Sequence, residues 1–304
     1  MEMQEHPMTS VGDVSYYLGS WTSKMGNNVW KNLIEIIGDC HHNNPYRSLN
    51  NNDSQIYSMM WEEQCGINFP VMYVASVYLY MYACKQNCDT FLFATRDCCH
   101  WVKIFKKLFP DANAHYFDCS RNMLEKGYKE HNKPYRKYVM SLIKTSVEKT
   151  IFVDIHGTCQ RILTYFSKEF NKFPYCFLLS SSFRMYSQFP KVCRKAHNEG
   201  KLLNIVFDAR GTPIEMLNFD TVGTLQDFNE HGPIRDPPEY SISRLEAYHV
   251  CIQYLLQKTL PWEKVTKTHE LEMHELSPLI HRIYRVIQDN KPFLNNYIKH
   301  PGKH

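Results

Sequence analysis

The chain lacks a run of apolar residues long enough for an ordinary membrane span. Its most apolar segment, Pro70 to Cys84, is rich in Tyr, is bounded by Lys85 and falls short of the roughly 20 residues a span needs. Met1 to Ser10 is polar and has no apolar signal-peptide centre. No block of Lys and Arg stands out behind the formal net charge of +4, so nucleic acid is not an expected partner, while anionic small molecules are compatible. There is no internal repeat and no low-complexity tract. Together these absences predict a soluble, intracellular protein with no membrane partner.

What is present is the composition of a packed body: 43% hydrophobic residues against 22% charged. At 304 residues the chain can hold one large domain or a core with appendages. Its 11 cysteines suit a reduced interior rather than a disulfide scaffold, because Cys84, Cys119 and Cys176 sit inside apolar runs where a thiol acts as a small hydrophobe.

Three regions follow from the patterning. Residues 1–85 predict a helical extension. In it Val29 to Ile37 is amphipathic, Gly38 to Asp53 is a loop rich in Asn and His, and two helices between Ser54 and Tyr82 are separated near Gly66 to Pro70. Residues 86–225 alternate strand and helix. The strands are Phe91 to Thr95, Ala114 to Phe117, Ile151 to Val153, Tyr175 to Leu179 and Leu203 to Phe207, with helices at Trp101 to Phe109 and Pro134 to Lys144. Such alternation predicts an α/β, Rossmann-like fold with a mostly parallel sheet and helices on both faces. Residues 226–304 predict helices at Tyr240 to Lys258 and Pro278 to Gln288 packed on that core, after a Gly/Pro-containing connection, Asn218 to Pro238.

Ligands of open parallel sheets bind outside the carboxyl ends of the strands. Here the strands end at Arg96-Asp97, Asp118, Asp154, Ser180 to Ser182 and Asp208 to Arg210. Asp and Ser also gather at such ends simply to cap helices, but Arg96 and Arg210 fit phosphate oxygens better than a capping role. The central stretch is Lys149 to Arg161. A short β-branched and aromatic strand runs into Asp154, then a turn at Gly157, then a helix opening at Thr158 over the apolar face Ile162, Leu163, Tyr165, Phe166. Free amides at a helix start attract anions, phosphate above all. His156 reads either as a general acid/base or as an exposed turn residue. Cys40-His41-His42 and Cys98-Cys99-His100 are short clusters without a matching distant ligand set. His269 and His274 lie five apart, where a zinc-protease helix needs four.

Three stretches together resemble a module of bacterial and viral polysaccharide-type gene products that often follows a haloacid-dehalogenase-like domain. They are Phe91 to Asp97, Asp118 to Arg121 and Val153 to Gln160; this chain has Cys98 where that module has Gly. The layout is also similar to the type I phosphoribosyltransferases. That resemblance implies a phosphate-binding turn at Arg96, Asp97 and the following residues, and a second at Gly157, Thr158, Cys159 and Gln160. It also implies catalytic work at Asp154 and His156, Mg²⁺ on Asp154, a small phosphorylated ligand, and a mobile lid at Ser120 to Tyr138 carrying Arg121, Lys126 and Tyr128. Only one acid stands where the family usually has a pair, so a catalytically degenerate relative fits the pattern as well as an active one. Asp154-Ile155-His156-Gly157-Thr158 is also similar to the haloacid-dehalogenase phosphatase signature, which implies Asp154 as nucleophile; Asp220 and Asp227 are the candidates for its remaining acids. A non-enzymatic interaction or virion-associated protein is the third reading. Location is then cytoplasmic or virus-associated.

Overall fold

The computed structural model describes residues 30–48, 52–208, 213–239, 242–265 and 271–289. They form two compact units, one from residues 1–74 with 246–304 and the other from residues 75–245. Arg210, His269 and Glu270 lie outside the described residues.

The first unit is helical. It contains α1 (Lys31–His42), α2 (Asn52–Glu63), the start of α3 (Phe69–Lys85), nearly all of α10 (Ile242–Lys258), α11 (Trp262–Val265) and α12 (Met273–Asp289). Trp30, Tyr73 and Trp262 pack as a ring cluster with centroids 5.9 to 6.4 Å apart. The expected break between two helices at Gly66 to Pro70 does not occur. A π-helical turn, Gln64–Asn68, joins α2 to α3 without interruption. Pro70 has no amide to donate, and its ring would meet the carbonyl four residues back in a regular helix; the widened turn relieves both problems. The joined stretch Ser54–Lys85 has 32 residues and by length and composition alone could cross a membrane, but 78% of its most apolar window is buried, as in a core helix.

The second unit is the predicted α/β fold. Five strands, β1 (Thr90–Ala94), β2 (Asn113–Phe117), β3 (Thr150–His156), β4 (Tyr175–Ser181) and β5 (Leu202–Phe207), form a sheet in the order β2-β1-β3-β4-β5. Every pairing is parallel. The central strands β1, β3 and β4 are almost wholly buried, which is why they read as continuous apolar runs rather than alternating ones. One face carries α4 (Cys99–Leu108) and the later turns of α3, with Tyr78 and Trp101 both edge-on or tilted to Phe177 of β4. Four more helices complete the crossovers: α5 (Arg121–Lys129), α6 (Lys133–Leu142), α7 (Gln160–Phe170) and α8 (Lys191–Asn198). A short α9 (Pro213–Met216) follows β5.

The connection expected at Asn218 to Pro238 contains a two-stranded antiparallel hairpin, β6 (Leu225–Asn229) and β7 (Gly232–Arg235). Gly232 at φ 117° supplies the left-handed turn. The hairpin is fastened to the sheet side by four polar contacts: Ser120 Oγ to the Leu225 carbonyl (2.6 Å), Lys126 to Asp227 (2.6 Å), Asn132 to the Phe228 carbonyl (3.0 Å) and Arg235 to Asp118. Phe228 also stacks on Tyr138, centroids 4.7 Å apart.

Candidate functional site

The strand order reverses direction between β1 and β3, since β1 leads outward to β2 and the chain then returns to the far side of β1. At such a switch point the two flanking loops diverge and leave a crevice. Here it is a cleft of about 930 Å³. Its walls come from the loop after β1 (Thr95, Arg96, Asp97), the start of α5 (Ser120, Arg121), the end of β3 with its turn (Asp154 to Gln160), Ser182 after β4, and Glu215 of α9.

The backbone is strained on both sides of this crevice. Arg96 and Cys159 adopt left-handed conformations, φ 71° and 58°, in the turns that follow β1 and β3. Among the described residues the other non-glycine positions with positive φ are Asn87, His131 and Asn171, types that tolerate that region. An Arg or Cys held there costs on the order of 1–3 kcal/mol, and such strain gathers at functional sites. The Arg96 amide is anchored by donation to the Tyr116 hydroxyl at 2.6 Å, and that hydroxyl in turn donates to Asp220.

Asp154 is the electrostatic centre. It lines the cleft, yet its Oδ1 is shut off from solvent and has no hydrogen-bond partner among the described residues. Burial first, then the nearby charges of Asp97 and Glu215, push its carboxyl well above the usual range; the amides of Ile155 and His156 offset this in part. Asp97 is raised too, by burial, while Arg96 and Arg121 pull it back down. Asp97 and Glu215 therefore line the same cleft as Asp154 and act on it through their charge, where the sequence shows a single acid on the strand. The second and third acids come from the β1 turn and from α9; Ile214 to Leu217 fits the layout of the module that the chain resembles, but that fit does not single out Glu215 as a site residue.

β3 runs two residues beyond Asp154, so His156 is a strand residue and not an exposed turn residue. It is half-buried and its Nδ1 lies 2.8 Å from Ser180 Oγ. Burial and then the charge of Arg121 lower its pKa, against an upward pull from Asp208. The helix α7 opens at Gln160 rather than at Thr158. Thr158 still serves the helix start, because its Oγ1 accepts from the Gln160 amide at 3.3 Å. The Gly157 amide is spent on the Ser180 carbonyl at 3.2 Å, which leaves the amides of Thr158 and Cys159 as the donors without an acceptor among the described residues. A Cβ at Gly157 would stand 3.3 Å from Asp154 Oδ2, so the turn and the acid need a glycine between them. Cys193 Sγ donates to the Thr158 carbonyl at 3.0 Å and fixes the turn from behind.

Arg96, Asp97, Asp154, His156, Gly157, Thr158, Cys159 and Gln160 thus share one cleft. Ser120 to Tyr138, expected as a lid, is a helix pair whose Met123, Leu124, Tyr135 and Val139 are buried. Of the lid candidates only Arg121 lines the cleft; Lys126 is tied to Asp227 and Tyr128 is absent from the lining. Arg96 Nη1 donates to Thr224 at 3.0 Å and lies 3.8 Å from Glu239, so one of its guanidinium nitrogens is already engaged. The two Cys/His clusters do not assemble within their own segments. Cys40 is buried while His41 pairs with Glu62 and Arg47. Cys98 and Cys99 donate to carbonyls of Val153 and Asn218, and burial raises both thiols, the reverse of an activated nucleophile. Neither a protein-family model nor a curated protein sequence matches this chain.

Proposed function

We propose that this cleft binds a phosphorylated sugar or nucleotide in the manner of a phosphoribosyltransferase, with phosphoribosyl pyrophosphate as the ligand to test first. The observation that carries the reading is the enclosed, unpartnered Oδ1 of Asp154 among three carboxylates, directly beside a turn that offers the Thr158 and Cys159 amides. Acids and anion donors side by side suit a ligand that brings a cation and phosphate groups together. The carboxylate oxygens of Asp154, with Asp97 and Glu215 elsewhere on the cleft wall, suit Mg²⁺ rather than a thiophilic metal, and such an ion takes one or two protein carboxylates with phosphate and water completing its shell. When bound there, Mg²⁺ supplies positive charge that offsets the acids and polarises phosphate oxygens. The chain's own part is positional. Arg121 and the free amides hold phosphate oxygens, Gly157 keeps the turn close to Asp154, and His156 exchanges a hydrogen bond or proton with the ligand.

The phosphatase reading, with Asp154 as nucleophile, is less well supported. Of the Ser180 to Ser182 hydroxyls that such an enzyme would turn to the phosphate, that of Ser180 is buried and bonded to His156 and to the Ile155 carbonyl, and Ser182 alone lines the cleft. Its candidate acids are also occupied, Asp220 by Tyr116 and the Thr221 amide, Asp227 by Lys126 and the Phe228 amide.

The test is a thermal-shift and calorimetric titration with phosphoribosyl pyrophosphate in the presence and absence of Mg²⁺. A Mg²⁺-dependent rise in Tm that Asp154→Asn abolishes is expected. No response up to millimolar ligand refutes the proposal and moves weight to a non-enzymatic, virus-associated or other interaction role.

A further inference from the structure

We infer that Ser180 is a positioning residue that fixes His156 as the Nδ1–H tautomer and so presents a bare Nε2 acceptor to the cleft. Ser180 is fully buried, and its Oγ has two neighbours: the Ile155 carbonyl oxygen at 3.0 Å and His156 Nδ1 at 2.8 Å. A hydroxyl has one proton to donate. Two oxygens 3.0 Å apart in a dry interior repel unless a proton lies between them, and a carbonyl carries none. The Ser180 proton therefore points to the Ile155 carbonyl. Its lone pair faces the imidazole, so Nδ1 must be the donor, whether the ring is neutral or charged. In the neutral ring the remaining nitrogen, Nε2, then carries the lone pair.

The register of the sheet makes this pairing possible. His156 and Ser180 are directly opposed on the parallel strands β3 and β4, with the Gly157 amide donating to the Ser180 carbonyl one step further on. Both side chains are thereby held by ladder geometry rather than by a loop. His156 lines the cleft, and Nε2 has no hydrogen-bond partner among the described residues. The ligand chemistry that follows is specific. The atom meeting Nε2 carries a proton, as a sugar hydroxyl or a ring N–H does, and is not a phosphate oxygen. A site that accepts a hydrogen bond from the ligand discriminates strongly against an analogue lacking that donor. This last step rests on the phosphorylated-sugar reading, whereas the tautomer does not.

The experiment is a long-range ¹H–¹⁵N correlation spectrum of the ¹⁵N-labelled, ligand-free full chain at mildly alkaline pH, with His156 assigned by its loss in His156→Gln. The expected wild-type pattern is a protonated Nδ1 and a pyridine-type Nε2, moving toward the Nε2–H form or a mixture in Ser180→Ala. A wild-type ring protonated on Nε2 overturns the inference, with no variant needed to decide. The same spectrum is recorded with phosphoribosyl pyrophosphate and Mg²⁺. An Nδ1–H ring that no ligand perturbs keeps the tautomer and sinks the ligand reading. A ligand that binds a ring of the opposite tautomer does the reverse.

Discussion

Asp154→Asn should stabilise the ligand-free protein while destroying its ligand response, and the two effects have a common cause. In the folded chain Asp154 is half-buried in the cleft wall with its Oδ1 enclosed and unpartnered among the described residues, and the charges of Asp97 and Glu215 act on it, so ionising it is costly. Its folded pKa lies above the unfolded one, near 3.9. The unfolded chain therefore loses the proton first as pH rises, and folding stability falls from about pH 4 upward until the folded carboxyl itself ionises. Asparagine has nearly the same shape and no charge to lose. An unsatisfied buried polar group costs about 1–3 kcal/mol, more when charged, and relief of roughly 1–2 kcal/mol is a modest expectation. For a unit of 150–250 residues that corresponds to a rise in Tm of about 2–8 °C. The difference should be present at pH 7–8 and shrink toward pH 4, where the wild-type carboxyl is neutral too. Ligand adds the opposite sign. At 100 times its Kd, phosphoribosyl pyrophosphate with Mg²⁺ stabilises wild type by about 2.7 kcal/mol, and the variant should show almost none of this. Differential scanning calorimetry across pH 4–8, with and without ligand, reads both. An Asp154→Asn protein that is less stable than wild type at neutral pH, or equally responsive to ligand, refutes the reasoning.

Gly157→Ala puts a methyl group 3.3 Å from Asp154 Oδ2 on a backbone at φ 159°, and should weaken ligand binding about tenfold or more by calorimetric titration while also lowering the Tm. Gly223→Ala places a Cβ 1.6 Å from the Asp236 carbonyl oxygen, a clash with backbone that cannot be absorbed. It should cost about 2–4 kcal/mol and expose the β6–β7 hairpin to limited proteolysis. In the helical unit, Glu63 accepts from the Tyr248 hydroxyl at 3.0 Å and burial raises its pKa to about 8. The unfolded chain ionises this group near pH 4.3, so wild type should lose stability between about pH 4 and 8 relative to Glu63→Gln; parallel pH profiles of Tm for the two proteins would contradict this.

The sheet was legible because parallel strands covered on both faces leave unbroken apolar runs, and each predicted strand matches an observed one to within a residue or two except where polar residues extend it. β3 continues through Asp154-Ile155-His156 and β4 through Ser180-Ser181 because ladder pairing, not side-chain polarity, sets where those strands stop. The α2–α3 break failed for a related reason: Gly66 and Pro70 are breaking signals in isolation, but burial of both flanks favours a π-turn over a loop. The α5 helix was hidden by its charge. Arg121–Lys129 is polar overall, and only Met123, Leu124 and Gly127 are buried, too few positions to announce a period. Gly127 is nonetheless fixed there, since a Cβ would meet the Tyr165 ring at 2.8 Å.

Of the candidate site, the residues on strand ends were readable and those brought in by packing were not. Asp154, Arg96 and Asp97 follow from one rule about where parallel sheets bind ligands. Glu215 lies on a single helical turn, and although Ile214 to Leu217 fits the layout of the resembled module, that fit does not mark the acid as part of a ligand site. Its relevance appears only through the field it exerts on Asp154. The apparent weakness of the motif, one acid where a pair is usual, is therefore not a deficit of negative charge. The charge is contributed by the β1 turn and by α9. His156 stands where the haloacid-dehalogenase phosphatase signature has its second acid, and its pairing with Ser180 turns that position to a different use. Placing an acid at that position would add a fourth carboxylate to the same crevice and remove the imidazole acceptor from it. His156→Asp should accordingly bind phosphoribosyl pyrophosphate less well than wild type by calorimetric titration, although it restores the phosphatase signature.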